Sequence, residues 1–67
     1  MSVAKVTEIS ASSTKSFEDA VKQGIARAHE TLEHVEGAWI KSQKVCCTEG
    51  KITEYRVDMK VTFVLKD

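Results

Sequence analysis

The sequence predicts an α+β domain in which one helix packs on a three-stranded antiparallel sheet, with the elements in the order β-α-β-β. Two patterns indicate this fold. Apolar residues recur at helical spacing across the segment Phe17–Val35, and apolar and polar residues alternate along Ile52–Leu65. The chain has 67 residues, so we expect a single domain over positions 1–67.

The N-terminal segment predicts a strand, a loop and the start of a helix. Val3–Ser10 is rich in residues that favour strands, and the small residues of Ser10–Thr14 are typical of a loop. Ser16 is a suitable N-cap, and Asp19 occupies the position of its capping-box partner three residues later. The helix is therefore expected to begin at Phe17.

The helix carries one continuous apolar face, formed by Phe17, Ala20, Val21, Gly24, Ile25, Ala28, Leu32 and Val35. Gly24 lies on this face although glycine costs a helix about 1 kcal/mol, so we expect another part of the chain to pack very close to it. Glu18 and Lys22 have the spacing of an ion pair on the outer face. Gly37 is expected to end the helix as a residue of left-handed backbone conformation.

The C-terminal half predicts a hairpin of two strands, Trp39–Cys47 and Ile52–Leu65, joined by a turn at Thr48–Lys51. In the last strand the apolar residues are Tyr55, Val57, Met59, Val61, Phe63 and Leu65, and the polar residues between them are Glu54, Arg56, Asp58, Lys60 and Thr62. This strand is the longest and the most regularly patterned, which favours the central place and the strand order 1-3-2. One face of the sheet then packs on the helix, and the other face stays exposed.

The composition argues against several classes of function. Ten basic and ten acidic residues give a net charge of zero, which is not typical of a nucleic-acid-binding protein. The sequence has no apolar run near 18 residues and no signal-peptide pattern, so we expect no membrane partner and a cytoplasmic location. We find no arrangement of residues typical of a catalytic site, and we therefore expect that the protein is not an enzyme.

A domain of this size buries only about 60% of its unfolded surface and usually needs additional stabilisation. Cys46 and Cys47 are adjacent, and adjacent strand residues point to opposite faces, so these cysteines are not expected to form a stabilising disulfide. His29 and His34 are not spaced to share a helix face, and we expect no metal site there. Self-association is the remaining route to stability, and the sequence favours it.

Trp39 is the only tryptophan in the chain, and it opens the second predicted strand. Two interpretations remain open from the residues alone. The indole either completes a core or subunit interface, or it offers a flat surface on which a planar ligand stacks.

The order of elements, the serine-containing loop before the helix, the tryptophan at the start of the second strand and the segment Tyr55–Leu65 together resemble the dodecin family. Ala26-Arg27-Ala28 and Thr31-Leu32 in the helix add to this resemblance, which covers essentially the whole chain. The resemblance implies a hollow homododecamer that binds a flavin, riboflavin or FMN, without catalysis. It further implies that the flavins are stored or sequestered in pairs, each stacked on Trp39 of one subunit.

The resemblance also implies a role for the residue that follows the aromatic residue of the last strand. Many flavin-binding members have glutamine at this position, and its amide contacts the flavin edge. Arg56 stands here instead. Arginine donates to flavin carbonyl oxygens but does not accept from the ring N–H. The alternative for Arg56 is a salt bridge to a carboxylate such as Glu54, Asp58 or one on a neighbouring subunit.

Two further residues are expected to border the flavin. Lys41 lies two positions after Trp39 and is expected on the same side of the strand. Gln43 follows on that side and supplies an amide that both donates and accepts hydrogen bonds. The alternative for Lys41 is a solvated lysine that protects a strand edge from aggregation.

Two other functions compete with flavin storage. A dodecin-like shell without flavin would bind ions such as calcium, or another partner, although the calcium type lacks the tryptophan. A flavin reductase or oxidase would need an open flavin face for its substrate. A stacked pair of flavins leaves no such face, so the enzymatic hypothesis is the weakest of the three.

Overall fold

The computed structural model describes residues 3–32 and 34–65 as three strands and one helix. The elements are β1 (Val3–Ser13), α1 (Phe17–Leu32), β2 (Val35–Thr48) and β3 (Lys51–Leu65). The strands form one sheet in the order β1-β3-β2, with both neighbouring pairs antiparallel. The predicted α+β fold class, the β-α-β-β order and the strand order are therefore confirmed. Within the described ranges, no helix has the length and apolar character needed to cross a membrane.

The core lies between α1 and one face of the central strand β3. Val57, Met59 and Val61 are fully buried, and Phe63 is nearly so. Ala20 and Ala28 are the buried apolar residues that α1 contributes. The odd positions of β3 from Val57 to Phe63 thus face the helix, as the alternation predicts, and the even positions between them face away from it.

Gly24 allows the helix to approach the sheet closely. A Cβ atom added at Gly24 would overlap the Cε methyl group of Met59 and would lie 3.0 Å from the Cβ atom of Ala11. The prediction of a close approach at this glycine is confirmed.

The first strand is longer than predicted. β1 continues to Ser13 and pairs with β3 as far as the partners Ser13 and Tyr55. The expected loop at Ser10–Thr14 is therefore wrong over most of its length. Small polar residues favour loops locally, but pairing with the long central strand outweighs that preference here.

The helix is shorter than predicted, because it ends at Leu32 and Val35 already begins β2. The left-handed residue near this end is His34, with φ of 50°, whereas Gly37 lies within β2 opposite Thr62. Helical spacing cannot show that Val35 pairs with the central strand instead. Glu33, which falls in the predicted helix, lies outside the described residues.

The helix start and the hairpin turn follow the prediction with one exception. Ser16 Oγ accepts a hydrogen bond from the Asp19 backbone N–H at 3.0 Å, which confirms the N-cap. The Asp19 carboxylate instead accepts from the Ser13 hydroxyl at 2.6 Å and the Gln23 amide at 2.5 Å, so the expected capping box is wrong. In the turn, Glu49 and Gly50 have φ of 52° and 77°, as a two-residue hairpin turn requires.

Candidate functional site

Trp39 lies on the face of the sheet that points away from α1. Its cross-strand partner is Lys60, an even position of β3. Trp39 is 72% exposed to solvent. A cavity of about 160 Å³ beside it is lined by Trp39, Ile40, Lys41 and Lys60. The structure therefore leaves the indole uncovered next to an open recess.

A β-bulge changes which residues share this face with Trp39. The pairing of β2 with β3 shifts between Ile40 and Ser42, so that Trp39 lies opposite Lys60 and Ser42 lies opposite Asp58. An extra residue in one strand reverses the alternation of side chains beyond it.

Lys41 is the extra residue of this bulge, and its side chain lines the same recess as Trp39. Its Nζ atom lies 2.6 Å from Oε1 of Glu8 on β1. Both side chains are about half exposed. The hydrogen bond and the charge of Lys41 lower the pKa of Glu8, and the same contact raises the pKa of Lys41. The side chain thus reaches from one outer strand to the other.

Gln43 does not lie on the Trp39 face. Its partner on β3 is Val57, which is fully buried against the helix side of the sheet. The expectation that Gln43 continues the Trp39 face is wrong, because the bulge before Ser42 shifts the alternation by one residue.

Arg56 is on the same face as Trp39 but further along the sheet. It lies four residues from Lys60 on β3, which corresponds to about 13 Å along the strand. Its Nη2 atom lies 2.8 Å from Oε1 of Glu54, so a salt bridge of the kind named as the alternative is present within the chain. Within one chain the structure brings Lys41 to Trp39, but not Arg56 or Gln43.

The sequence interpretation missed two groups on this face. Lys60 lies beside Trp39, and the Asp58 carboxylate accepts hydrogen bonds from the hydroxyls of Ser10 at 2.5 Å and Ser42 at 2.9 Å. The hydrogen bond from Ser10, and after it the one from Ser42, lowers the pKa of Asp58. The polar positions of β3 were visible in the sequence, but their neighbours depend on the strand register and on the bulge.

The other side chains that could react or bind a metal do not form a cluster among the described residues. Cys46 and Cys47 are free cysteines. Within residues 3–32 and 34–65 there is no group of three or more histidine, cysteine, aspartate or glutamate side chains placed to hold a metal ion.

Comparison with solved structures shows the same fold over the whole chain. A tryptophan-to-phenylalanine variant of the dodecin from Thermus thermophilus is 30% identical, with 100% of both chains covered and a TM-score of 0.93. Dodecin from Streptomyces davaonensis is 29% identical, with 98% of this chain and 97% of that chain covered and a TM-score of 0.94.

A third similar structure is described as a calcium-chelating immunodominant antigen, calcium dodecin, from Mycobacterium tuberculosis. It is 29% identical, with 96% of this chain and 91% of that chain covered, and its TM-score is lower at 0.83. A comparison with curated proteins finds no match. The family model for dodecin matches residues 3–66. This chain therefore belongs to the dodecin family.

Proposed function

We propose that this protein binds a flavin, riboflavin or FMN, by stacking its isoalloxazine ring on Trp39, and that it stores or sequesters the flavin without catalysing a reaction. The observation that carries the proposal is the 72% exposure of Trp39 on the face of the sheet opposite the helix. Membership of the dodecin family supports the ligand class.

An exposed indole on a strand is well suited to a planar ligand. Burying apolar ring surface contributes about 25 cal/mol per Å², and aromatic stacking adds about 0.5–1.5 kcal/mol. The strand pairing between Trp39 and Lys60 fixes the backbone beneath the ring, so the loss of conformational entropy at Trp39 on binding is confined to its side chain. A flavin that contacts indole is also quenched, because the indole donates an electron to the excited ring.

We further propose that the site is completed by a second copy of the chain. The recess at Trp39 measures about 160 Å³, whereas pockets for ligands of this size usually span about 300–1,000 Å³. Other large apolar side chains are also exposed in the single chain, namely Val3, Val6, Ile40, Val45, Ile52 and Leu65. Both observations support the homododecamer that the family resemblance implies.

The four predicted site residues take different parts in this proposal. Trp39 carries the ring, and Lys41, oriented by Glu8, borders it in the same chain. Arg56 would contact the flavin edge from the second copy, since it lies too far along β3 to reach the ring on its own Trp39. Gln43 faces the helix side and would contribute only through a contact between copies.

The test is a riboflavin titration followed by flavin fluorescence, with the native protein and the Trp39→Ala variant. We expect saturable quenching in the native protein and at least a tenfold loss of affinity in the variant, because the stacking surface is removed. Ile52→Ala is the matched control, since it removes an exposed apolar side chain near the hairpin turn. Equal quenching in the native protein and in Trp39→Ala would contradict the proposal.

The calcium dodecin from Mycobacterium tuberculosis supports one alternative, an assembly that binds calcium rather than flavin. Absence of any flavin response in the native protein, together with calcium binding measured by calorimetry, would favour that alternative.

A further inference from the structure

Gly37 is an exposed glycine near the start of β2, and the packing of the described residues does not require it. A Cβ atom added at Gly37 would meet no other atom of those residues within 4 Å, whereas one added at Gly24 overlaps Met59. Glycine weakens a strand, because it loses more backbone entropy on folding than other residues and has no side chain to pack. Packing within the chain therefore does not explain this glycine.

The backbone conformation does not require a glycine at this position either. The pairing of β2 with β3 shifts between Val35 and Gly37, so Glu36 is the extra residue of a bulge. The type of bulge that favours glycine holds it at positive φ. Among the glycines of the chain only Gly50 has a positive φ, of 77°. A strand glycine with neither requirement is typical of a place where a ligand or another backbone approaches closely.

Gly37 lies on the same face of the sheet as Trp39. Gly37 is opposite Thr62 and Trp39 is opposite Lys60, with no shift of register between the two pairs. Residues two positions apart on a strand are about 6.6–6.8 Å from each other. A ring in contact with the indole needs about 3.5–4.0 Å of this spacing. A side chain at position 37 would stand in the remaining space, and a glycine leaves it open.

The other neighbours of the indole carry long side chains. Lys41 and Lys60 line the recess at Trp39, which measures about 160 Å³ and is small for a ligand with three fused rings. Within one chain, a ligand larger than the recess finds open space beside Trp39 on the Gly37 side.

A strand of a second copy is the other group that could approach Gly37. Pairing at the edge of β2 would use backbone groups in the plane of the sheet, and a Cβ atom points out of that plane. Strand pairing at this edge therefore does not require a glycine. An approach to the face of the sheet does require one, and Trp39 is exposed on this face.

We infer that Gly37 admits the flavin to the site, because the missing side chain lets the ring system lie against the strand backbone beside Trp39. This inference rests on the proposed function and names a second residue, after Trp39, that determines which ligands fit. It limits the site by size: a ligand of three fused rings extends to Gly37, and a ligand of two fused rings stays on the indole.

The experiment measures riboflavin affinity by fluorescence quenching in the native protein and in Gly37→Val and Gly37→Ala. We expect Gly37→Val to weaken binding about tenfold, because its methyl groups overlap the bound ring, and Gly37→Ala to weaken it less. The free energy of unfolding should not fall in Gly37→Val, since valine favours strands. Ala38→Val is the matched control, because Ala38 lies opposite Val61 on the helix side, and its affinity should equal that of the native protein.

A second ligand separates a contact with the ring from a general effect on the fold. A ribityllumazine has two fused rings and the same ribityl chain, so Gly37→Val should weaken its binding much less than that of riboflavin. Equal losses for the two ligands would overturn the inference. So would a Gly37→Val protein that dissociates into smaller assemblies by light scattering, because position 37 would then belong to a contact between copies.

The failure of this inference is distinct from the failure of the proposed function. Saturable riboflavin binding in the native protein with unchanged affinity in Gly37→Val would overturn the role of Gly37 alone. Absence of binding in the native protein would overturn the proposed function as well.

Discussion

At the scale of residues, the face of the sheet around Trp39 is a layer of paired polar groups with one exposed aromatic ring. Glu8 is held by Lys41, and Asp58 is held by two serines. The ring and the polar character of the last strand were predicted from the sequence. The hydrogen bonds and the salt bridge on this face were not predicted, because they join residues far apart in the chain, such as Ser10 and Asp58.

The hydrogen bonds to Asp58 lead to a prediction about acid stability. Ser10 and Ser42 lower its pKa below the ordinary value of 3.8 in the folded protein, and the unfolded chain lacks these bonds. The unfolded state therefore binds the proton more readily, so this stabilisation is present above about pH 4 and is lost as the pH falls through the folded pKa. The Ser10→Ala/Ser42→Ala variant should melt below the native protein at pH 6, and thermal unfolding between pH 6 and pH 2 should show the difference shrinking. A constant difference at every pH would contradict this account.

At the scale of elements, the sequence predicted each helix and strand but misplaced several ends. Val57, Met59, Val61 and Phe63 of β3 are buried as expected, because strict alternation of apolar and polar residues allows only one choice of which face of the strand is buried. The end of α1 was placed three residues too late, since Val35 fits the helical spacing and yet pairs with β3. The bulge before Ser42 left no signal in the pattern of β2, and for this reason Gln43 was assigned to the wrong face.

The contact between α1 and the sheet at Gly24 gives a prediction about stability. Gly24→Val should reduce the free energy of unfolding by about 1–3 kcal/mol, because the added atoms overlap Met59 and Ala11 in a packed core. Chemical denaturation measures this loss. Ala26→Val, on an exposed position of the same helix, is the control and should cost only about 0.5 kcal/mol through helix propensity. Equal losses in the two variants would show that Gly24 is not a point of close packing.

At the scale of the whole molecule, the single chain is thin and leaves much of its apolar surface uncovered. Its dimensions are 52 × 19 × 13 Å, and one helix covers one face of the sheet. Trp39 belongs to the uncovered face. The exposed side chains of Ile40 and Val45 lie on the helix side of the sheet, opposite Met59 and Tyr55. We therefore propose that the flavin binds on the Trp39 face between neighbouring copies, each of which contributes a ring, and that assembly also covers apolar residues on the helix side.

The most direct test of this account is a crystal structure of the protein grown with riboflavin. The account predicts an isoalloxazine ring parallel to the indole of Trp39 at about 3.5–4.0 Å, the contact distance of stacked carbon atoms, with a second copy of the chain closing the site. A flavin bound elsewhere, or a Trp39 covered by protein side chains alone in the assembled molecule, would contradict it.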